Sequence, residues 1–188
     1  MDDSVLVAAV GAGDVACFER LYTAYERRVL QYARTIVRDL GTAEEVVSDT
    51  MLAVWDGART FNRTSRVSTW IFGIARHKAL DALRRAGKGG RPAKHLALED
   101  AVEIASEAPT PDSVAQQGSM REAMQAAFSG LSPEHQEILY LAFFEDMPYE
   151  EIASLLSLPV NTVKTRVYYA KGSLKAQIER RSALELTP

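Results

Sequence analysis

Near its C-terminal end the chain reads Pro148-Tyr-Glu-Glu-Ile-Ala-Ser-Leu-Leu-Ser-Leu-Pro-Val-Asn-Thr-Val-Lys-Thr-Arg-Val-Tyr-Tyr-Ala-Lys171. Two short helical stretches meet here at a tight turn. The second carries Asn161, Thr162, Lys164, Thr165, Arg166, Tyr168, Tyr169 and Lys171, with Val163, Val167 and Ala170 as its apolar stripe. This is the sequence form of a helix-turn-helix, whose second helix presents a polar, basic face to a major groove. Nucleic acid is therefore the first candidate partner.

Whole-chain charge does not carry that reading. The net charge is -3 and the pI about 5.7, so any affinity for DNA must reside in local patches. The single cysteine, Cys17, excludes an intramolecular disulfide and reads as a small core residue. His77, His95 and His135 are scattered, without partners at metal-ligand spacing. No nucleophile–base pairing or phosphate-binding glycine loop is present, so neither an enzyme nor a cofactor is expected. No apolar run approaches the ~20 residues of a membrane span. The start, Met1-Asp-Asp-Ser, lacks the pattern of a signal peptide, and a cytoplasmic location without membrane insertion is expected.

The rest of the chain reads as helix throughout. A short helix is expected at about Ser4–Val10. Residues 14–38 show helical periodicity through Phe18, Leu21, Tyr22, Tyr25, Val29, Ala33, Ile36 and Val37, with Asp14 as cap. Thr42 and Glu45 have capping-box spacing for the next helix, which runs to about Gly57. Its apolar stripe is Val46, Val47, Thr50, Met51 and Val54; its outer face carries Glu44, Glu45, Asp49 and Asp56. A polar loop, 59–66, leads into a helix at about Ser68–Arg85, with Trp70, Ile71, Ile74, Ala75 and Leu83 as its inner stripe.

Residues 87–118 are rich in glycine and proline and turn from basic to acidic, which reads as a flexible linker with a possible short helix at Leu96–Ile104. Helical pattern resumes at Ser119 through Met120, Met124, Ala127, Phe128 and Leu131. Ser132-Pro133-Glu134 has the form of a helix start, followed by Ile138, Leu139, Leu141, Ala142 and Phe143. The expected fold is all-α: two small helical domains, 1–86 and 119–188, joined by the linker. Each is near the size at which a single core is only marginally stable, which suits modules that dock on a large partner.

Two segments together narrow the function. Ala43–Trp55, Phe61 and Ser68–Arg85 resemble region 2 of the extracytoplasmic-function (ECF) sigma factors of bacterial RNA polymerase, group IV of the sigma-70 family. Leu131–Leu139 and the helix-turn-helix resemble region 4 of the same family. The resemblance covers about residues 5–86 and 119–180, in the family's order and without a middle domain.

The resemblance implies a transcription initiation factor that binds core RNA polymerase and carries no catalysis of its own. The first domain would bind the clamp of the largest subunit, recognise the −10 element and melt it. The second would bind duplex −35 DNA and touch the polymerase flap. An anti-sigma factor is the expected regulator. The clamp-binding face would be Glu44, Glu45, Asp49 and Asp56; on sequence alone the same residues make an ordinary solvated face. Candidates for −10 DNA are Phe61, Asn62, Arg63, Arg66, Trp70, Arg76, His77, Lys78, Arg84 and Arg85. The arginines and lysine would hold phosphates and the aromatics would support a captured base. Phe61 and Trp70 read equally as core aromatics, and for Trp70 the core is the expected main role. Candidates for −35 DNA are Asn161, Thr162, Lys164, Thr165, Arg166, Tyr168, Tyr169 and Lys171.

The chain departs from the family pattern at several of these positions. His77 stands where asparagine is common, Asn161 where glycine is usual, and Tyr169 where arginine is usual. Ser157 replaces the turn glycine. Arg166 has a structural alternative, an ion pair with Glu150 or Glu151. The acid-rich 134–151 stretch is expected to face polymerase or solvent. The competing class is a polymerase-independent helix-turn-helix regulator, which would need neither the aromatic loop nor the acidic helix.

Overall fold

The computed structural model describes residues 2–88 and 123–185, with side chains to 87 and 181. The described residues form helices and turns only. Four helices come first: α1 (Asp3–Gly11), α2 (Val15–Val37), α3 (Leu40–Gly57) and α4 (Val67–Lys88), with a 3-10 turn at Ala58–Thr60. The second group comprises α5 (123–129), α6 (Pro133–Leu139), a π-helical turn (Tyr140–Phe144), α7 (Tyr149–Leu156) and α8 (Val160–Glu185). Helix α4 runs on past the expected end of the first domain at 86. Beyond Lys88, the linker with its Leu96–Ile104 helix, and Ser119 and Met120, lie outside the described residues.

Capping explains most boundaries. Asp14 accepts a hydrogen bond from the Cys17 amide at 3.0 Å and starts α2 as expected. Helix α3 begins earlier than the Thr42–Glu45 pattern suggested. Asp39 is its cap, accepting from the Thr42 amide at 2.8 Å and from Thr42 Oγ1 at 2.7 Å. Those two bonds hold the Asp39 carboxyl below its usual range. Thr42 is thus the third helical residue, where it donates rather than caps. Arg38, in the left-handed region at φ 59°, makes the turn from α2 into α3.

Helices α2, α3 and α4 pack mutually, with α1 laid across α2 and the 3-10 turn. The α3 stripe of Val46, Val47, Thr50, Met51 and Val54 is buried as expected. On α4, however, Leu83 is 41% exposed, and the buried positions are Val67, Thr69, Ile71, Phe72, Ala75, Ala79 and Ala82. Small alanines let the second half of α4 approach Ala33, Val37, Ala43 and Val46 of α2 and α3 closely, and Leu83 falls just off that stripe. Cys17 is half-buried beside the core, and burial pushes its thiol up.

In the second group, Ser132 caps α6, accepting from the His135 amide at 3.3 Å, and Pro133 occupies the first turn. Gln136 is buried and donates through Nε2 to the Ser129 and Leu131 carbonyls, both at 3.0 Å. It thereby satisfies carbonyls left open where α5 ends. The π turn changes the facing of the next residues, because it adds a residue to the helical turn. Tyr140 and Leu141 point inward, whereas Phe143, expected in the core, is 56% exposed.

The two groups do not stand apart. Their buried side chains form one continuous core, in which α2 meets α6 and α4 meets α7. Tyr32 of α2, Phe72 of α4 and Tyr140 of the π turn are all buried and in ring contact, with centroids 5.2 to 6.3 Å apart.

Replacing Asp39 with alanine removes a cap with two bonds and should lower stability by about 1 kcal/mol in urea unfolding. Thr42→Ala, which leaves the Asp39–amide bond in place, should cost less; the reverse order would restore Thr42 as the cap.

Candidate nucleic-acid interface

The recognition helix α8 packs its apolar stripe, Val163, Val167 and Ala170, inward. Asn161, Lys164, Thr165, Tyr168, Tyr169 and Lys171 are exposed; Thr162 and Arg166 are half-buried. Tyr168 and Tyr169 stand 74% and 61% exposed and meet edge to face at 5.6 Å. The Lys171 ammonium lies 5.7 Å from the Phe143 ring centroid, which orients it beside the exposed phenylalanine.

Asn161, Thr162, Thr165, Arg166 and Tyr169 line one open depression of about 460 Å³. His135 of α6 lines it as well, a residue the sequence reading did not include. Its signal was its place three residues after the Ser132 cap, on the helix that precedes the helix-turn-helix. Arg166 lies near Glu134, whose carboxyl is held below its usual range chiefly by hydrogen bonds in the first turn of α6 and to a lesser degree by that guanidinium. Glu151, one of the two alternatives for an ion pair with Arg166, turns to the first group instead.

The turn between α7 and α8 is made by Ser157 at φ 56° and ψ 46°, fully left-handed despite the absence of glycine. The Leu158 amide closes the turn by donating to the Ala153 carbonyl at 2.9 Å. The helix-turn-helix geometry is therefore kept at a backbone cost that glycine would avoid.

In the first group, Phe61 and Trp70 stack at 4.8 Å between centroids, 33° apart. Both are half-buried. A side chain at Gly57 would come within 3.1 Å of the Trp70 ring, so that glycine admits the indole. Trp70 is thus wedged between Gly57 and Phe61. Next to the pair is a depression of about 430 Å³ lined by Phe61, Arg63, Ser65, Arg66, Val67 and Ser68, together with Asp2, Asp3 and Ser4. The acidic start of α1 was not anticipated here. Asp2 caps α1 by accepting from the Ser4 amide at 3.1 Å, and those Ser4 bonds hold its carboxyl below the usual range. Asp3 accepts from the Tyr25 hydroxyl, which burial and that bond push up. Asn62 Oδ1 takes the Thr64 amide at 3.2 Å and its hydroxyl at 2.8 Å, fixing the loop in which Arg63 is left-handed at φ 59°.

The other candidate residues divide. His77 is exposed, with Nδ1 2.8 Å from the Gly73 carbonyl oxygen, leaving Nε2 outward. Lys78 is half-buried; Arg84 and Arg85 are exposed, and Arg84 pairs with Asp81 at 3.0 Å. Glu44, Glu45 and Asp56 are exposed on α3 and Asp49 is half-buried, so the acidic face exists as a surface, continued by Leu52 at 61% exposure. Arg66 and Arg76 are engaged: Arg66 Nε lies 3.3 Å from Glu151 Oε1, and Arg76 Nε lies 2.9 Å from Glu137 Oε1.

Of the acids in 134–151, Glu134, Asp146 and Glu150 are exposed, whereas Glu137, Glu145 and Glu151 turn to the first group. Glu137 accepts from both Arg76 and the Tyr32 hydroxyl, the latter at 2.8 Å. Glu151 accepts from the Thr69 hydroxyl in addition to Arg66. Glu145, its side chain 1% exposed, is gripped by Arg28, and burial pushes its carboxyl above the usual range against the pull of that guanidinium.

The chain is thus an all-α bundle with an acidic helix face and an aromatic loop, followed by a helix-turn-helix. Comparison with known families agrees in both parts: residues 21–89 match Sigma-70 region 2, and residues 121–174 match Sigma-70, region 4. The chain belongs to the sigma-70 family. Within it, the chain is an ECF sigma factor, similar along most of its length to curated members of that group. It is 26% identical over 174 residues to the ECF RNA polymerase sigma factor SigL of Mycobacterium tuberculosis, covering 92% of this chain and 95% of that protein. To the ECF RNA polymerase sigma factor RpoE of Cereibacter sphaeroides it is 28% identical over 169 residues, 86% of each. The fold is shared with the sigma factor RpoE of Bartonella quintana, solved in complex with the anti-sigma factor NepR (TM-score 0.66, 20% identity, covering 86% of this chain and 96% of that one). It is shared also with CnrH, solved with the cytosolic domain of CnrY (TM-score 0.63, 21% identity, covering 95% and 97%).

Ser157→Gly relieves the left-handed serine and should raise stability by roughly 0.5–1 kcal/mol, part of the gain being lost to glycine's freedom in the unfolded chain. Thermal unfolding reads the gain; an unchanged or lower melting temperature would show that the turn is unstrained.

Proposed function

We propose that this ECF sigma factor binds core RNA polymerase through the acidic face of α3 and directs initiation at promoters read at two points. In this reading Glu44, Glu45, Asp49 and Asp56 meet a basic surface of the polymerase clamp. The exposed face of α8 reads duplex −35 DNA, with Lys164, Arg166 and Lys171 on phosphates or guanine edges and the Tyr168–Tyr169 pair against thymine methyls or sugars. His135 extends that face from α6. The loop at 61–66 captures an unstacked −10 base in the depression beside Phe61, while Arg63, Arg66, Arg76, Lys78, Arg84 and Arg85 hold the backbone. Asp2 and Asp3, at the rim, offer acceptors suited to an exocyclic amine. His77 replaces an amide with an imidazole, whose hydrogen-bonding pattern changes with protonation.

The single observation that carries the reading is the co-occurrence of the exposed recognition helix with the Phe61–Trp70 loop and the exposed acids of α3. A polymerase-independent regulator would account for the first alone. The protein acts by binding, not by catalysis, and works in the cytoplasm, where its template is. An anti-sigma factor is proposed as its regulator, in line with the Bartonella sigma factor solved with one.

In vitro transcription with core polymerase and a promoter library tests the reading: added protein should co-elute with core and create new start sites, and failure of both would refute it. Lys164→Ala and Arg166→Ala should each weaken duplex −35 binding roughly tenfold, with core binding unchanged. Charge reversal at Glu45 and Asp49 should do the opposite, lowering affinity for core while duplex affinity stays as it was. Loss of both activities in either pair would argue against the division of surfaces.

A further inference from the structure

The π turn at Tyr140–Phe144 sends two adjacent phenylalanines to different places. Phe144 stacks on the buried Tyr140 at 5.2 Å between centroids, 13° apart, and meets Phe128 edge to face at 5.9 Å. Phe143 is 56% exposed and lies beside α8, where the Lys171 ammonium stands 5.7 Å from its ring centroid. Lys171 follows Lys164 by seven residues and Tyr168 by three, so the three share one face of the helix, and all three are exposed. One turn further on, Lys175 continues that face and is drawn toward Glu179 at 3.7 Å. Among the described residues no acid pairs with Lys171, and its charged head meets the Phe143 ring instead.

We propose that Phe143 is a positioning residue for duplex binding: its ring holds the Lys171 ammonium at the edge of the recognition face, preset for a DNA phosphate beside the −35 bases. The proposal rests on the −35 reading of α8 made above. Lys171 lies about 10 Å further along the helix axis than Lys164, at 1.5 Å per residue. In a helix-turn-helix the first turns of the recognition helix meet the base edges, so a side chain that far along reaches the backbone at the rim of the groove. A lysine stem is flexible and loses freedom when it is fixed on a phosphate. The negative face of an aromatic ring restrains the ammonium before DNA arrives. Unlike a carboxylate, the ring carries no net charge to cancel that of the lysine, and the ammonium keeps donors free for a phosphate oxygen. Lys175, already drawn to an acid, has no such advantage.

The test uses the full chain to enrich duplexes from a random-sequence pool, and then the enriched duplex, fluorescein-labelled, in anisotropy titrations over a range of potassium chloride concentrations. Lys171→Gln should weaken binding and lower the slope of log affinity against log salt by about one, as the loss of one phosphate contact does. Phe143→Leu keeps an apolar side chain and removes the ring face. It should weaken binding about two- to fivefold, the equivalent of a cation–π contact at an exposed site. Phe143→Tyr keeps the face and should bind as the wild type does. In a Lys171→Gln background, Phe143→Leu should change nothing further. That coupling between the two positions is the readout, and a loss of stability common to both backgrounds drops out of it. An equal loss with and without Lys171 would make Phe143 a packing residue or a DNA contact in its own right and overturn the proposal. So would a Phe143→Leu protein that binds like the wild type, or a Phe143→Tyr protein that loses as much as the leucine variant. A pool from which no duplex is enriched would remove the −35 reading itself, and the role of Phe143 with it.

Discussion

The aromatic junction of Tyr32, Phe72 and Tyr140 is the contact on which the arrangement of the molecule depends. Each ring is buried, and each comes from a different element: α2, α4 and the π turn. Rings of this size remove roughly 150–250 Å² each from water, a gross gain of several kcal/mol per ring. The ion pairs around them are weaker supports. Arg66 is 59% exposed in its pair with Glu151, and pairs of that kind contribute about 0–1 kcal/mol. Glu145 differs, because its carboxylate is shut away from water and loses much of its pairing energy to desolvation. The junction therefore holds the groups together, and the charged contacts around it decide which surfaces meet.

That separation of roles matters for how the protein reads DNA. The recognition helix is held by its own apolar stripe and by α6 and α7, so its outward face is formed whether or not the groups are joined. The surface proposed for −10 DNA is built on α4 and the loop before it, which is the side turned toward α7. The outer face of α8 is thus exposed, whereas the surface proposed for −10 DNA lies against α7. The depression beside Phe61 also takes in the capped start of α1, which ties a short N-terminal helix to the proposed −10 surface through Asp2, Asp3 and Tyr25.

Much of this was legible from residue patterns, and the failures have physical causes. Local signals succeeded where the partner lies within one turn: Asp14 and Ser132 as caps, the buried stripe of α3, the turn before α8. Thr42 misled because its capping-box spacing coincided with the third position of a helix already capped by Asp39. Phe143 misled because the π turn breaks the helical period from which its burial was inferred, and Tyr140 took the inward place. Leu83 lost to alanines, which permit a closer helix approach than any leucine. Glu137, Glu145 and Glu151 were visible as an acidic stretch, yet their partners lie 61 to 117 residues away and no local pattern encodes them. The acids that face α2 and α4 could be told from acids that face water only once the chain was folded.

The mixture of rings and charges at the junction gives domain separation a heat-capacity signature. Exposing Tyr32, Phe72 and Tyr140 raises the heat capacity of the opened form, so the attraction between the groups fades as the temperature falls. Added salt, by contrast, screens the arginine–glutamate pairs and leaves the rings untouched. Cold and ionic strength thus act on the same joint through different atoms, and an opened molecule carries a greasy scar that its next partner must cover.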